Sequence, residues 1–141
     1  MQTEVNFFKE DVQFRLNDKD AISSWVVGCI KKHRKKPGTL NFIFCSDELL
    51  YSMNIKYLNH KTLTDIITFD YTEDATISGD IFISIDRVRE NAILLKNSIK
   101  DELHRVMIHG VLHLCGYSDK KPADKQKMTK AENKYLSLRT F

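Results

Sequence analysis

The chain has 141 residues, 42% of them apolar, and its 22 basic and 19 acidic side chains give a net charge of +3. That is one domain's worth of chain, able to bury about two-thirds of its unfolded surface, so it needs neither disulfides nor a metal merely to hold a core together. Five glycines, two prolines and 29% charged residues exclude disordered, collagen-like and mucin-like classes.

No internal repeat or linker breaks the chain, so residues 1–141 are expected to form a single domain. Val5 to Phe8 reads as a strand. Asp18 to Lys36 reads as a helix with Ile22, Trp25, Val26, Cys29 and Ile30 on its apolar side and Pro37-Gly38 as its stop. Thr39 to Cys45 is rich in β-branched and aromatic residues and reads as a strand. Ser46 caps a helix running to about Leu58, with Asp47 and Glu48 in its first turn. Asp65 to Tyr71 and Asp80 to Ile85 read as strands, with Thr72 to Gly79 a polar loop between them. Asp86 to Lys96 is helical. Ser98, with Asp101 three residues on, opens the next helix, which runs to about Cys115. Pro122 sits at the first position of a last helix ending near Leu138. Four strands with helices gathered at the end of the chain predict an α+β fold, a small mixed sheet packed by about five helices.

Three cysteines, Cys29, Cys45 and Cys115, cannot form a paired set and suit a reducing compartment. The opening MQTEVNFFKEDVQF has neither the basic nor the apolar region of a secretory signal. The longest apolar run, Trp25 to Ile30, is far shorter than the ~20 residues that span a bilayer. A cytoplasmic location without membrane contact is therefore expected. Charge is unevenly spread: Lys31–Lys36 (KKHRKK) carries +5 and Lys120–Phe141 another +5, leaving −7 on the other 113 residues. Two basic segments on an acidic body point to a polyanionic partner. The competing reading is a solvated face whose cations complement a helix C-terminus.

The chemistry sits in the helix from Ser98 to Cys115. Leu103, Met107, Gly110, Val111 and Leu114 form its core-facing stripe, and His109 and His113 lie one turn apart at the edge of that stripe. Two imidazoles at i, i+4 can converge on one ion. His104 points away from both. Gly116 can turn the chain back in a left-handed conformation, which lets Asp119 return a carboxylate to the two rings. The spacing is that of H-E-x-x-H-x-x-G-x-x-H proteases. Gly110 replaces their general-base Glu, which argues against peptide hydrolysis. Two imidazoles and a carboxylate are a recognised zinc set that leaves a fourth position open. Cys115, Cys29 and Cys45 read as core, and Tyr117 as packing under the turn.

His109-Gly-Val-Leu-His113-Leu-Cys-Gly116-Tyr117, followed by Ser118-Asp119, resembles the H-G-x-L-H-L-x-G-Y-D-H motif of the YbeY family of bacterial endoribonucleases, also called rRNA maturation factors. Thr64-Asp65-Ile66-Ile67-Thr68-Phe69 resembles that family's T-D-V-L-S-F strand, and Gly79 to Ser84 its G-D-I-x-I-S strand. Asn54, Tyr57 and Glu102-Leu103 fit the intervening helices. The resemblance implies a zinc-dependent, single-strand-specific endoribonuclease that matures the 3′ end of small-subunit (16S) rRNA and serves ribosome quality control. Its fold would match zinc proteases only around the metal helix. One Zn2+ per chain would be held by His109, His113 and Asp119, the last standing where the family has a third histidine. RNA, with the ribosome, would be the partner rather than DNA or a membrane, its backbone held by Lys31, Lys32, Arg34, Lys35 and Lys36 and by the Lys-rich last helix. The family also carries an Arg at the position of Leu58, so another group must meet the developing phosphate charge. His60 and Lys61 are near in sequence. Asp65 and Asp80 are acidic residues that could flank the site, and no general base is evident. A metal-dependent peptidase and a non-catalytic RNA- or ribosome-binding factor with structural zinc remain the alternatives.

Overall fold

The structure, a computed structural model, describes residues 3–141. In chain order it contains β1 (Glu4–Lys9), α1 (Lys19–Lys32), β2 (Lys36–Cys45), α2 (Asp47–Leu58), β3 (Ile66–Asp70), β4 (Thr76–Ser84), α3 (Ile85–Leu95), α4 (Ile99–Leu114) and α5 (Pro122–Ser137). Local chemistry sets most of these boundaries. Ser46, Ser84 and Ser98 each precede a helix and accept a hydrogen bond from the backbone N–H of Leu49, Arg87 and Asp101 respectively, satisfying donors that the first helical turn leaves unpaired. Pro122 opens α5, where its missing N–H has no partner to lose.

The strands pair in the order β1-β2-β4-β3. The β1/β2 and β2/β4 pairs are parallel and β3/β4 is antiparallel, so the sheet is mixed and the fold is α+β as expected. Side-chain alternation sorts the two faces. Leu40, Phe42 and Phe44 of β2 and Ile77, Ile81 and Ile83 of β4 join Ile22, Val26 and Ile30 of α1 and Met107, Val111 and Leu114 of α4 in the main core. On the other face α2 covers a smaller cluster of Cys45, Leu50 and Ile67. Part of that face is polar: Asn6 Nδ2 donates to Asn41 Oδ1 and Asn41 Nδ2 donates to Asp80 Oδ1, both at 2.9 Å.

Three expectations change. Helix α1 stops at Lys32, not Lys36; Arg34 adopts a left-handed φ of 59°, and Lys36, Pro37 and Gly38 already belong to β2. A residue before proline is pushed out of the helical region, and the Lys36 N–H donates to the Ala75 carbonyl at 2.7 Å. Pro37 lies at a register shift in the β2/β4 pairing, where a missing ladder donor is tolerated. Residues Thr76 to Gly79, expected in a loop, begin β4, because Ile77, 1% exposed, continues the inward alternation of Ile81 and Ile83. Asp80 lies on the sheet face opposite α4 and is occupied by Asn41, so it does not flank the histidines of that helix. Among the described residues no helix is long and apolar enough to cross a membrane.

Helix α4 lies directly on β3 and β4 because position 110 has no side chain. A Cβ there would come within 2.9 Å of Ile66 Cδ1 and 3.0 Å of Ile81 Cγ2, closer than packed atoms tolerate. The position occupied by the general-base Glu in H-E-x-x-H peptidases is therefore sterically closed in this fold. Gly110→Ala is expected to lower stability by about 1–3 kcal/mol in urea unfolding, and Gly110→Glu to prevent folding. A stable, folded Gly110→Glu protein would show that the helix does not rest on the sheet at this point.

Candidate metal centre

The end of α4 builds the centre. Cys115 closes the helix and Gly116 follows at a φ of 109°, a left-handed value suited to glycine. The Gly116 N–H donates to the His113 carbonyl and the Tyr117 N–H to the Leu112 carbonyl, each at 3.0 Å, the paired bonds of a Schellman turn. This reversal carries Asp119 back to the two histidines. Its Oδ2 lies 3.3 Å from both His109 Nε2 and His113 Nε2, and the rings stand 4.6 Å apart at 81° to one another. Donors on a tetrahedral zinc, each about 2.0–2.1 Å from the ion, are separated by roughly 3.3 Å. Both contacts of Asp119 match that separation and the three ligand atoms lie within 4.8 Å of one another, a donor set of the right chemistry for such an ion.

The outer nitrogens are also occupied. His113 Nδ1 donates to the Tyr117 carbonyl at 2.9 Å, so the same turn that returns Asp119 also orients this ring. His109 Nδ1 lies 2.6 Å from Oε2 of Glu132, a carboxylate on α5 only 6% exposed. Both rings therefore turn Nε2 toward Asp119, the arrangement in which partners of the other nitrogen fix the tautomer of a metal-ligating imidazole. The second carboxylate oxygen of Glu132 accepts from Arg105 Nη1 at 2.9 Å, and Arg105 Nη2 donates to Asn133 Oδ1 at 2.7 Å.

Beside these groups lies a cavity of about 450 Å³. Asp65, at the entry to β3, and Glu102 on α4 line it with the three candidate ligands and Arg105. Burial holds the Asp65 carboxyl above its ordinary pKa, partly offset by the charge of His109. Burial raises Glu102 as well. For His109, burial opposes protonation, but the Glu132 hydrogen bond and the charges of Glu132, Asp119 and Asp65 outweigh it and hold the pKa above normal.

His104 has a different environment. Burial, then Arg139 and Lys100, hold its pKa at about 4, and its Nδ1 accepts from Arg139 at 2.7 Å while its ring packs on Trp25 and Phe141. Burial pushes the thiols of Cys29 and Cys45 up to about 12 and that of Cys115 to about 11. They are protonated packing groups and do not present thiolates to a metal.

Leu58 lines the cavity beside the candidate ligands, whereas His60 and Lys61, beyond the left-handed Asn59, are exposed and absent from its wall. The segment Lys31–Lys36 does not form one helical face. Lys31 and Lys32 end α1, Arg34 and Lys35 lie in the turn, and Lys36 begins β2. Folding nonetheless brings this segment to α5: Lys32 Nζ lies 6.0 Å and Lys134 Nζ 5.5 Å from the Tyr135 ring centre, and Lys127 Nζ lies 5.6 Å from that of Tyr117. The hydroxyl of Tyr117 meets His33 Nε2 at 2.9 Å, linking the basic face to the turn that carries Asp119. Sequence reading missed Glu132 and Arg105. Arg105 was within reach, since it lies one turn before His109 on the same edge of α4. Glu132 has no local signal, because only the docking of α5 on α4 brings it to His109.

Comparison with known proteins agrees with this architecture. The family model described as Endoribonuclease YbeY matches residues 4–139. The chain is similar to a protein of Cytophaga hutchinsonii named Endoribonuclease YbeY, 52% identical over 97% of this chain and 96% of that one. It is also 46% identical to a protein of the same name from Parabacteroides distasonis, over 95% and 94% of the two chains. The solution structure of TM1509 from Thermotoga maritima has the same fold, with a TM-score of 0.67 at 24% identity over 95% of this chain and 87% of that one. A match across nearly the whole chain, at these identities, places this protein in the endoribonuclease YbeY family.

Proposed function

We propose that this endoribonuclease uses one zinc ion, held by His109, His113 and Asp119, to cut single-stranded RNA, and that residues 1–141 act as one such domain in the cytoplasm. Its proposed substrate is the 3′ end of small-subunit (16S) rRNA, in ribosome maturation and quality control. Family membership supports the endoribonuclease class and rRNA processing. The observation that carries the metal assignment is the convergence of the two Nε2 atoms on Asp119, with both outer nitrogens already engaged.

When bound, the ion supplies Lewis acidity toward a phosphate oxygen and a more acidic water. The chain's residues do the remaining work. Glu132 and the Tyr117 carbonyl hold the two imidazoles with Nε2 facing inward. Asp119 adds a negative charge that a third histidine would not, which favours retention of a divalent cation. Asp65 lies on the cavity wall with its pKa raised by burial. A carboxylate shifted toward neutral pH is better matched to proton acceptance, so Asp65 is assigned to take the proton of the attacking water at its carboxylate oxygen. The basic face around Tyr135 and Tyr117 is assigned to the RNA backbone. A peptidase reading is disfavoured because Gly110, pressed on the sheet, leaves no room for the adjacent Glu that such chemistry uses.

Asp119→Ala is expected to abolish zinc binding and RNA cleavage while leaving a folded protein that still binds single-stranded RNA. Elemental analysis combined with a cleavage assay, with and without chelator, checks this; cleavage that persists in the metal-free variant would overturn the assignment. Zinc competes with the proton for His109, so affinity is expected to fall as pH drops through the raised pKa of that ring. In the metal-free protein the sign reverses. A pKa raised above the usual 6.5 adds stability that is fully present below that value and is lost as pH rises through the folded value. Glu132→Gln is expected to weaken zinc binding by about 10–100-fold and to flatten both pH dependences, read by competition titration and thermal unfolding. Replacing Lys32 and Lys134 together by Ala is expected to weaken RNA binding and to reduce the log–log salt slope by about 0.7 for each phosphate that the variant no longer neutralises; an unchanged slope would remove these residues from the interface.

A further inference from the structure

We propose that Arg105 binds the phosphate group of the RNA beside the metal centre, an inference that rests on the endoribonuclease reading. Arg105 is the only lysine or arginine among the described residues that line the cavity, against the four carboxylates of Asp65, Glu102, Asp119 and Glu132. A divalent ion does not by itself offset four such groups, so a further fixed cation lowers the repulsion that an entering phosphodiester meets. Arg105 supplies it from the right place. It lies four residues before His109 and eight before His113, on one edge of α4, with about 6 Å of rise per four residues.

The guanidinium is held ready. One oxygen of Glu132 accepts from Arg105 Nη1 and the other meets Nδ1 of His109, so a single buried carboxylate sets the distance between the cation and the metal-ligating ring. Asn133 Oδ1 fixes Nη2. These bonds use one N–H from each terminal nitrogen, and a guanidinium has further N–H donors in the same plane. The Arg105 side chain keeps 29% of its surface exposed while that of Glu132 keeps 8%, so the cation remains reachable from the cavity and its anchor does not. A fixed, partly desolvated Arg on the cavity wall with N–H donors to spare has the chemistry that phosphate recognition uses.

The test uses the zinc-loaded full chain, Arg105→Met and Arg105→Lys. Zinc content, thermal midpoint, cleavage of a single-stranded RNA oligonucleotide, and binding of the same oligonucleotide in chelator across a salt series are measured for each. Arg105→Met is expected to retain zinc and fold, to lose roughly 100-fold or more in kcat/KM, and to lower the salt slope by about 0.7. Arg105→Lys, which keeps the charge but not the fork, should recover part of the cleavage and the full slope. Parent-like cleavage and slope in Arg105→Met would overturn the proposal. So would activity lost only in proportion to zinc or to folded protein, since Arg105 would then be a support for Glu132. If Arg105→Met does not fold, Arg105→Lys decides: cleavage equal to the parent overturns the need for a fork at this position, and a partial loss with zinc retained supports it. A parent protein that cleaves no RNA would instead remove the endoribonuclease reading, and the oligonucleotide salt slope would still decide whether Arg105 binds phosphate.

Discussion

The contact between α4 and the sheet at Gly110 sets the position of everything that does chemistry. With no Cβ at that residue, the helix axis approaches Ile66 and Ile81 closely, and the buried stripe of Met107, Val111 and Leu114 locks its rotation. Once that rotation is fixed, Arg105, His109 and His113 fall on the one edge that overlooks the cavity. Close-packed interiors permit little adjustment, so a side chain at position 110 would displace the ligand edge as well as strain the core.

The second constraint is the docking of α5. It brings a nearly buried carboxylate, Glu132, to a place where it divides its two oxygens between a candidate metal ligand and an arginine. A buried carboxylate without such partners would be costly; here its hydrogen bonds serve the site. The same helix brings Lys134 and Lys127 to the end of α1, where Tyr135 and Tyr117 lie among lysines from both segments. One docking event therefore completes the surroundings of His109 and assembles a basic surface next to them.

Much of this was legible along the chain. The three serine caps, the proline at the start of α5 and the glycine after α4 act through neighbours a few residues away, so their outcome follows from local sequence. The convergence of His109, His113 and Asp119 was legible for the same reason, because i, i+4 spacing on a helix followed by a left-handed turn has few geometric outcomes. The misplaced boundaries had non-local causes. Lys36 to Gly38 are strand because Ala75 and Thr76 pair with them, and Thr76 to Gly79 are strand because β2 lies alongside. Asp80 has the chemistry to serve the site, yet the sheet's alternation places it on the far face, hydrogen-bonded to Asn41.

By itself the sequence determined the fold class, the helix that carries the candidate His109, His113 and Asp119 cluster, and the family resemblance, all of which depend on periodicity and short-range turn chemistry. Its net charge of +3 indicated little, and even its two basic segments were only separate runs. Tertiary structure alone decided that those runs meet around Tyr135, that Glu132 orients His109, and that Arg105 rather than His60 or Lys61 faces the cavity. Each of these depends on the packing of elements far apart in the chain, and no spacing rule along one element records which surfaces of two helices will meet.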